Sequence, residues 1–257
     1  MLLVEEKEIP INVELINMRS YGDKPREFLQ IVPNGLLPAL GVELEDGRKQ
    51  VITESQVIMD LLDKWHSKEN GYKSMMPDDA AGRRRHEVLA RLERDLFSWW
   101  CTFLLRPEMP SAGNLLSKLT GGDKNQMSQS MKGFLDCIQQ VDTELSSTPG
   151  PWFFDSKHPM MIDFIFISHI ERMLASVSYW KGFNIRDCGK FSALDAWLDA
   201  FDQRESYLAF KSDFYTNVKD IPPQYGPPFY GDRDEVDIYT GIISGADGSS
   251  WKLPLVC

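Results

Sequence analysis

DKPREFLQIVPNGLLPAL, residues 23–40, is the stretch on which the reading of the fold turns. Asp23-Lys24-Pro25 has the chemistry of a helix start, an acidic N-cap with proline inside the first turn. Phe28, Leu29 and Val32 then space a short helix that Pro33 stops. Asn34-Gly-Leu-Leu-Pro38 is a loop that runs straight into apolar residues of strand character. Pro38 to Leu44 and Lys49 to Thr53 read as two strands around Asp46-Gly47, a dipeptide that tolerates the positive φ of a hairpin turn, so the strands pair antiparallel. The bond before Pro38 belongs to the only class that is commonly cis, and a cis bond would turn the backbone edge of Leu37 outward. An ordinary trans turn fits the same pentapeptide, and the residues alone do not choose.

Working outward, Leu2 to Glu8 reads as a helix ended by Pro10. Ile11, Val13 and Leu15 alternate with polar residues as a half-buried strand does. On the other side, Ser55 is expected to cap a helix whose Val57, Ile58, Leu61, Leu62 and Trp65 form one apolar stripe. The order is αβαββα. At the strand-to-helix junction, the Ser55 hydroxyl, the free N–H groups and the positive dipole end suit a carboxylate, and Glu54 suits an ammonium on the same ligand. A plain serine cap is the alternative reading of that pair.

Residues 67–79 have linker chemistry, and 80–215 read as all helix. Val88, Leu92, Leu96, Trp99, Trp100 and Phe103 mark one long helix. Met127, Met131, Phe134, Leu135, Ile138, Val141 and Leu145 mark a second. Met160 to Trp180 is apolar almost all round, as a central bundle helix should be, yet contains Asp163 and His169. Ser192 and Asp195 have capping-box spacing ahead of Trp197, Leu198 and Phe201. The segment 216–257, with Pro222-Pro223 and Pro227-Pro228, is aperiodic and is expected to be irregular. The domain reading is therefore 1–66, a linker 67–79, a helical domain 80–215 and a tail 216–257.

Composition narrows the function classes. A formal charge of -10 over 257 residues disfavours a nucleic-acid partner, and Arg83-Arg84-Arg85 reads as a solvated helix face. No apolar run reaches the roughly 18 residues of a membrane helix. His66, His86, His158 and His169 fall in no ligand spacing, so no metal is expected. Cys101, Cys137, Cys188 and Cys257 are far apart and fit a reducing, cytoplasmic setting; an organelle stays open if a targeting segment precedes residue 1.

Taken together, the residues from Asp23 to Leu40 followed by the hairpin and Glu54-Ser55 resemble the thioredoxin-like half of cytosolic glutathione transferases, most closely the omega and dehydroascorbate reductase branch. The second half is similar to that family's helical domain, with Trp152-Phe-Phe154 ahead of a central helix carrying Asp163 near its start. The resemblance covers roughly residues 1 to 215. It implies an α/β thioredoxin-like N-terminal domain followed by an all-α C-terminal domain. It also implies a glutathione site in which Lys24 meets the glycine end, Leu37 beside Pro38 pairs with the cysteinyl part, and Glu54 and Ser55 hold the γ-glutamyl head. Trp99, Trp100 and Phe103 are candidates for an acceptor pocket, with core packing as their other reading. Asp163 is expected to be a buried structural cap, of which Met160 allows only the backward half.

In that family a first strand and a helix-borne Cys precede the point where this sequence opens, so the N-terminal domain is expected to be truncated at its start and no catalytic residue is assigned. A thiol becomes nucleophilic where a helix-end dipole and adjacent N–H groups lower its pKa, and none of the four cysteines has that setting. The function implied is glutathione-dependent thiol transfer or reduction: deglutathionylation, mixed-disulfide or dehydroascorbate reduction. Its partners would be glutathione as co-substrate and a small electrophilic or disulfide acceptor, and a homodimer is compatible with it. A non-catalytic glutathione transferase-like binding or interaction module is the alternative.

Overall fold

A computed structural model describes residues 1–17, 22–107, 127–231 and 233–245. The chain divides into two compact units, Met1–Arg83 and Arg84–Cys257.

In the first unit, α1 (Leu2–Lys7) ends on Glu8 in the left-handed conformation and buries Leu3 and Val4. Its Lys7 ammonium is fully buried and donates to the Asp63 carboxylate at 2.5 Å and to the Lys73 carbonyl at 2.6 Å, while the Met75 N–H donates to the same Asp63 oxygen at 3.1 Å. A charge out of water is tolerated only with such partners, so this set fixes α1 against residues 63–75. Helix α2 (Arg26–Ile31) starts after Pro25, which itself takes the N-cap position expected for Asp23. Strands β1 (Ala39–Glu43) and β2 (Lys49–Thr53) pair antiparallel from Ala39 opposite Thr53 to Glu43 opposite Lys49. Gly47, at φ 78°, makes the turn between them. Helix α3 (Ser55–Trp65) follows and buries Ile58 and Leu62.

The strand expected at Ile11, Val13 and Leu15 does not form. The residues are exposed, Leu15 by 92%. Among the described residues the sheet has two strands, and none runs beside residues 11–17 to complete a ladder. Alternation of apolar residues supplies one face of a strand but not its hydrogen-bond partner.

The second unit is helical: α4 (Ala80–Leu105), α5 (Gln129–Ser146), α6 (Met161–Lys181), α7 (Ser192–Asp202), α8 (Glu205–Leu208), α9 (Phe214–Tyr225) and α10 (Arg233–Ser244). Helix α6 is buried on nearly every side and packs against α9 and α10; α5 packs against α7. The stretch from 216 to 244, expected to be irregular, is largely α9 and α10. Asp213 starts α9 by accepting from the Thr216 N–H at 2.8 Å, and Pro222 and Pro223 lie only in its last turn. The remainder of the expected tail, 246–257, lies outside the described residues.

Two local expectations are corrected. Leu89, not Val88, is the core residue of α4's third turn; Val88 is exposed. Arg83 and Arg84 are exposed, as a solvated face requires, and Arg85 is partly buried. Arg83 donates to the carbonyls of Pro77 and Asp78, and Arg85 binds the Glu144 carbonyl at 3.1 Å, the Ser147 hydroxyl at 2.8 Å and the Glu144 carboxylate at 2.9 Å. The second correction is that α7 is capped from outside its own sequence. Phe191 is its N-cap residue, and the Asp142 carboxylate of α5 accepts from the N–H groups of Ala193 and Leu194 at 2.8 and 2.9 Å.

Candidate functional site

The pairing of Ala39 with Thr53 decides the geometry of the site. It makes Pro38 and Glu54 the next positions outward on two antiparallel strands, so residues far apart in sequence come to one end of the hairpin. The Leu37–Pro38 bond is cis, which settles the choice left open by the sequence. Leu37, Pro38, Glu54 and Ser55 are all exposed.

Glu54 is the N-cap residue of α3, with φ 71° and ψ 112°, and Ser55 is the first helical residue; the cap expected at Ser55 therefore sits one residue earlier. Among the described residues, the first turn of α3 has no side-chain cap, and Glu54 itself accepts no hydrogen bond from it. The end of the helix thus keeps its N–H groups and positive dipole for solvent or an anion. A non-glycine residue at positive φ is a strained conformation, of the kind that clusters where backbone geometry serves a ligand.

Lys24 joins the other end of this arrangement. Its side-chain carbons lie so close over Gly35, at φ 65°, that a Cβ there would meet Lys24 Cδ at 3.2 Å. Its ammonium donates to the Asn17 carbonyl at 2.9 Å and stands 5.7 Å from the centre of the Phe28 ring. The structure therefore brings Lys24 to the Asn34–Leu37 loop, and Pro38 to Glu54 and Ser55.

The aromatic candidates divide. Trp100 is buried, its indole N–H donating to the Ser176 hydroxyl at 2.9 Å. Phe103 is buried, stacked on Phe134 with the Lys181 ammonium 5.0 Å from its ring centre. Neither has an open face to offer an acceptor, because core packing uses both. Trp99 is partly exposed and lies over Gly133, where a Cβ would come within 2.6 Å of its ring.

Of the cysteines, Cys137 is buried and Cys101 partly so, and burial pushes both thiols above their ordinary range, against thiolate formation. Cys188 is partly exposed, and Cys257 lies outside the described residues. No group of His, Cys, Asp or Glu among the described residues could hold a metal ion, and no described helix is long and apolar enough to cross a membrane.

Asp163 is the structural residue anticipated. It is fully buried, and its carboxylate accepts from the Met160 N–H at 2.8 Å, the Phe153 N–H at 3.3 Å and the Trp197 indole at 2.8 Å. Burial raises its pKa to about 6 against the opposing pull of those donors. Two partly buried pairs gave no sequence signal: His169 with Glu93, and Glu171 with the Tyr207 hydroxyl, each linking residues tens of positions apart. The burial of Glu171 raises its pKa to about 7.

Comparison with known proteins bears on the fold. Residues 1–65 match the family model described as glutathione S-transferase, N-terminal domain. A sequence search of the curated proteins finds no match. Among solved structures, the chain is similar to a trimeric glutathione transferase, TDR1, of Leishmania, with TM-score 0.63 and 22% identity over 88% of this chain and 45% of that one. It is also similar to glutathione transferase Omega 3C of Trametes versicolor, with TM-score 0.59 and 19% identity over 82% of this chain and 78% of that one. An unclassified glutathione S-transferase of Bombyx mori gives TM-score 0.55 and 17% identity over 93% and 90% of the two chains. The chain thus spans less than half the length of the Leishmania protein. Its first 65 residues match the glutathione S-transferase N-terminal domain, and the chain has the glutathione transferase fold, a thioredoxin-like domain with a short sheet followed by a helical domain.

Proposed function

We propose that the protein binds glutathione at the hairpin end and serves glutathione-dependent thiol transfer or reduction of the omega and dehydroascorbate reductase type. The observation that carries the binding half is the Glu54–Ser55 junction: a strained, exposed turn opening a helix whose first turn takes no side-chain cap. In this reading the backbone N–H and the hydroxyl of Ser55 receive the γ-glutamyl carboxylate, and Glu54 pairs with its ammonium. The backbone of Leu37 beside Pro38 pairs with the cysteinyl part, and Lys24 leaves Asn17 for the glycine carboxylate.

Such a transfer needs a reacting thiolate. It would attack the glutathione sulfur of a mixed disulfide, form a new S–S bond and release the acceptor as its thiolate. A second glutathione thiolate would then displace the enzyme sulfur as thiolate and leave as oxidised glutathione. Burial raises the thiols of Cys101 and Cys137, so neither is assigned that role.

Calorimetric titration with glutathione tests the binding half. Saturable binding is expected, weakened by about tenfold in each of Ser55→Ala and Lys24→Ala, in line with the loss of one charge-assisted contact. Unchanged affinity in both variants would remove the site assignment. The non-catalytic alternative shares the binding result, and it is favoured if the protein turns over glutathionylated substrate no faster than glutathione does alone.

A further inference from the structure

The sequence carries the pattern Pro-Pro-x-Tyr twice within nine residues, as Pro222-Pro-Gln-Tyr225 and Pro227-Pro-Phe-Tyr230. The glutathione site does not use either copy. The two have opposite structures. The first is the last turn of α9, and its tyrosine is committed to the bundle. The Tyr225 ring meets Trp100 edge-on at 5.4 Å, and its hydroxyl accepts from Arg172 at 3.1 Å. Helical residues rise about 1.5 Å each, against about 3.1 Å in a polyproline II segment, so this copy does not have the extended form.

The second copy lies between two glycines and belongs to no helix or strand. Gly226 breaks α9 at φ 101°, and Gly231 sits so close to the end of α6 that a Cβ would meet the Lys181 carbonyl at 2.7 Å. Two backbone bonds hold the segment to the bundle: the Phe229 N–H donates to the Leu104 carbonyl, and the Gly231 N–H donates to the Trp180 carbonyl, both at 2.9 Å. Proline at 228 pushes residue 227 toward extended or polyproline II geometry, and both prolines have φ fixed near -65°. The side chains stay on the surface: Phe229 is 43% exposed and Tyr230 54%. The Tyr230 ring lies 5.0 Å from that of Trp180, with the Arg233 guanidinium over it at 6.0 Å.

From this contrast we infer that Pro227–Tyr230 is a docking segment for a protein domain that reads polyproline II ligands in an aromatic-lined groove, of the WW type. Such grooves take proline rings between aromatic side chains and gain from a ligand already held in the extended form, because little conformational entropy remains to be lost. Here two prolines and two anchoring hydrogen bonds supply that order, and the tyrosine is the exposed specificity element. The inference is independent of the glutathione site.

Titration of the full chain against a WW domain that binds Pro-Pro-x-Tyr peptides tests it, with a peptide of residues 225–231 as reference. The full chain is expected to bind saturably, within about tenfold of the peptide. Tyr230→Ala and Pro228→Ala are each expected to weaken binding by at least about tenfold, with thermal melts showing that both variants are folded. Tyr225→Phe, which changes only the helical copy, is expected to leave the affinity unchanged. Failure of the folded chain to bind, whether or not the peptide binds, overturns the inference. So does a loss in Tyr225→Phe equal to that in Tyr230→Ala, because the read segment would then be the packed one.

Discussion

The first turns of α3 and α6 begin helices in two opposite ways, and the contrast separates what the fold needs from what a ligand needs. At α6 the start is buried, and the Asp163 carboxylate collects three donors from its own N-cap backbone, from Phe153 and from Trp197 of α7. At α3 the start is exposed, the N-cap Glu54 holds a positive φ, and no side chain closes the turn. A buried helix end must have its polar groups met from within the protein, since no water reaches them. An exposed end can leave them open, at some cost in backbone strain, and is then available to an anion from outside. Asp142, which caps α7 from α5, belongs to the first kind. The comparison teaches that the second unit places its carboxylates to hold helices together, whereas the first unit leaves its helix start unfilled.

The harshest break of this comparison is at Asp163. Asp163→Ala removes the acceptor for three buried donors at once and is expected to destabilise the protein by about 3–5 kcal/mol, read as a lower midpoint in urea. A loss below about 1 kcal/mol would mean that water or a shifted backbone replaces the carboxylate. Asp163→Asn keeps the volume but turns an N–H₂ group toward donors, so it is expected to lose most of the same stability.

Glu171 gives the next effect, and its sign differs. Its folded pKa is raised to about 7 from 4.5, chiefly by burial, so the folded state holds this proton more tightly than the unfolded chain. The group's contribution to stability is therefore fully present below the unfolded value and is lost as pH rises through about 7. Glu171→Gln keeps an acceptor for the Tyr207 hydroxyl without the charge. It is expected to be near neutral at about pH 4 and more stable than the parent by about 2–3 kcal/mol at about pH 8. A variant less stable at both values would show that the charged form is what the surrounding Lys211 and Arg172 require.

These two residues also mark where the sequence was legible. The Pro38 loop, the antiparallel hairpin and the Glu54-Ser55 junction could be read because each is local: turn chemistry, alternation and a strand-to-helix change all lie within a few residues. Asp163 could be read because its backward bond to Met160 is local too. Glu171 with Tyr207, His169 with Glu93, Lys7 with Asp63 and Asp142 on α7 could not, since each pairs residues that only tertiary folding brings together. The misreadings have the same origin. Ile11 to Leu15 has a strand's alternation, but strand formation depends on a neighbour that alternation does not encode. Residues 216–244 were expected to be irregular because prolines and glycines hide a helical period that Asp213, Val218 and Ile221 nonetheless establish.

The smallest expected effect on stability, and the sharpest on the contrast between the two helix starts, is at Glu54. Glycine accepts φ 71° without the strain an L side chain meets, which favours Glu54→Gly by about 1–3 kcal/mol. Glycine also gives the unfolded chain more freedom, which offsets about 0.4–1 kcal/mol of that gain. The melting temperature is therefore expected to rise by a few degrees or stay level. If Glu54 serves a ligand ammonium, the same variant should bind glutathione about tenfold more weakly. Opposite signs in the two measurements would identify the strained turn as a feature kept for binding. A fall in stability with unchanged affinity would instead make Glu54 a structural residue, like Asp163, and would bring the two helix starts under a single rule.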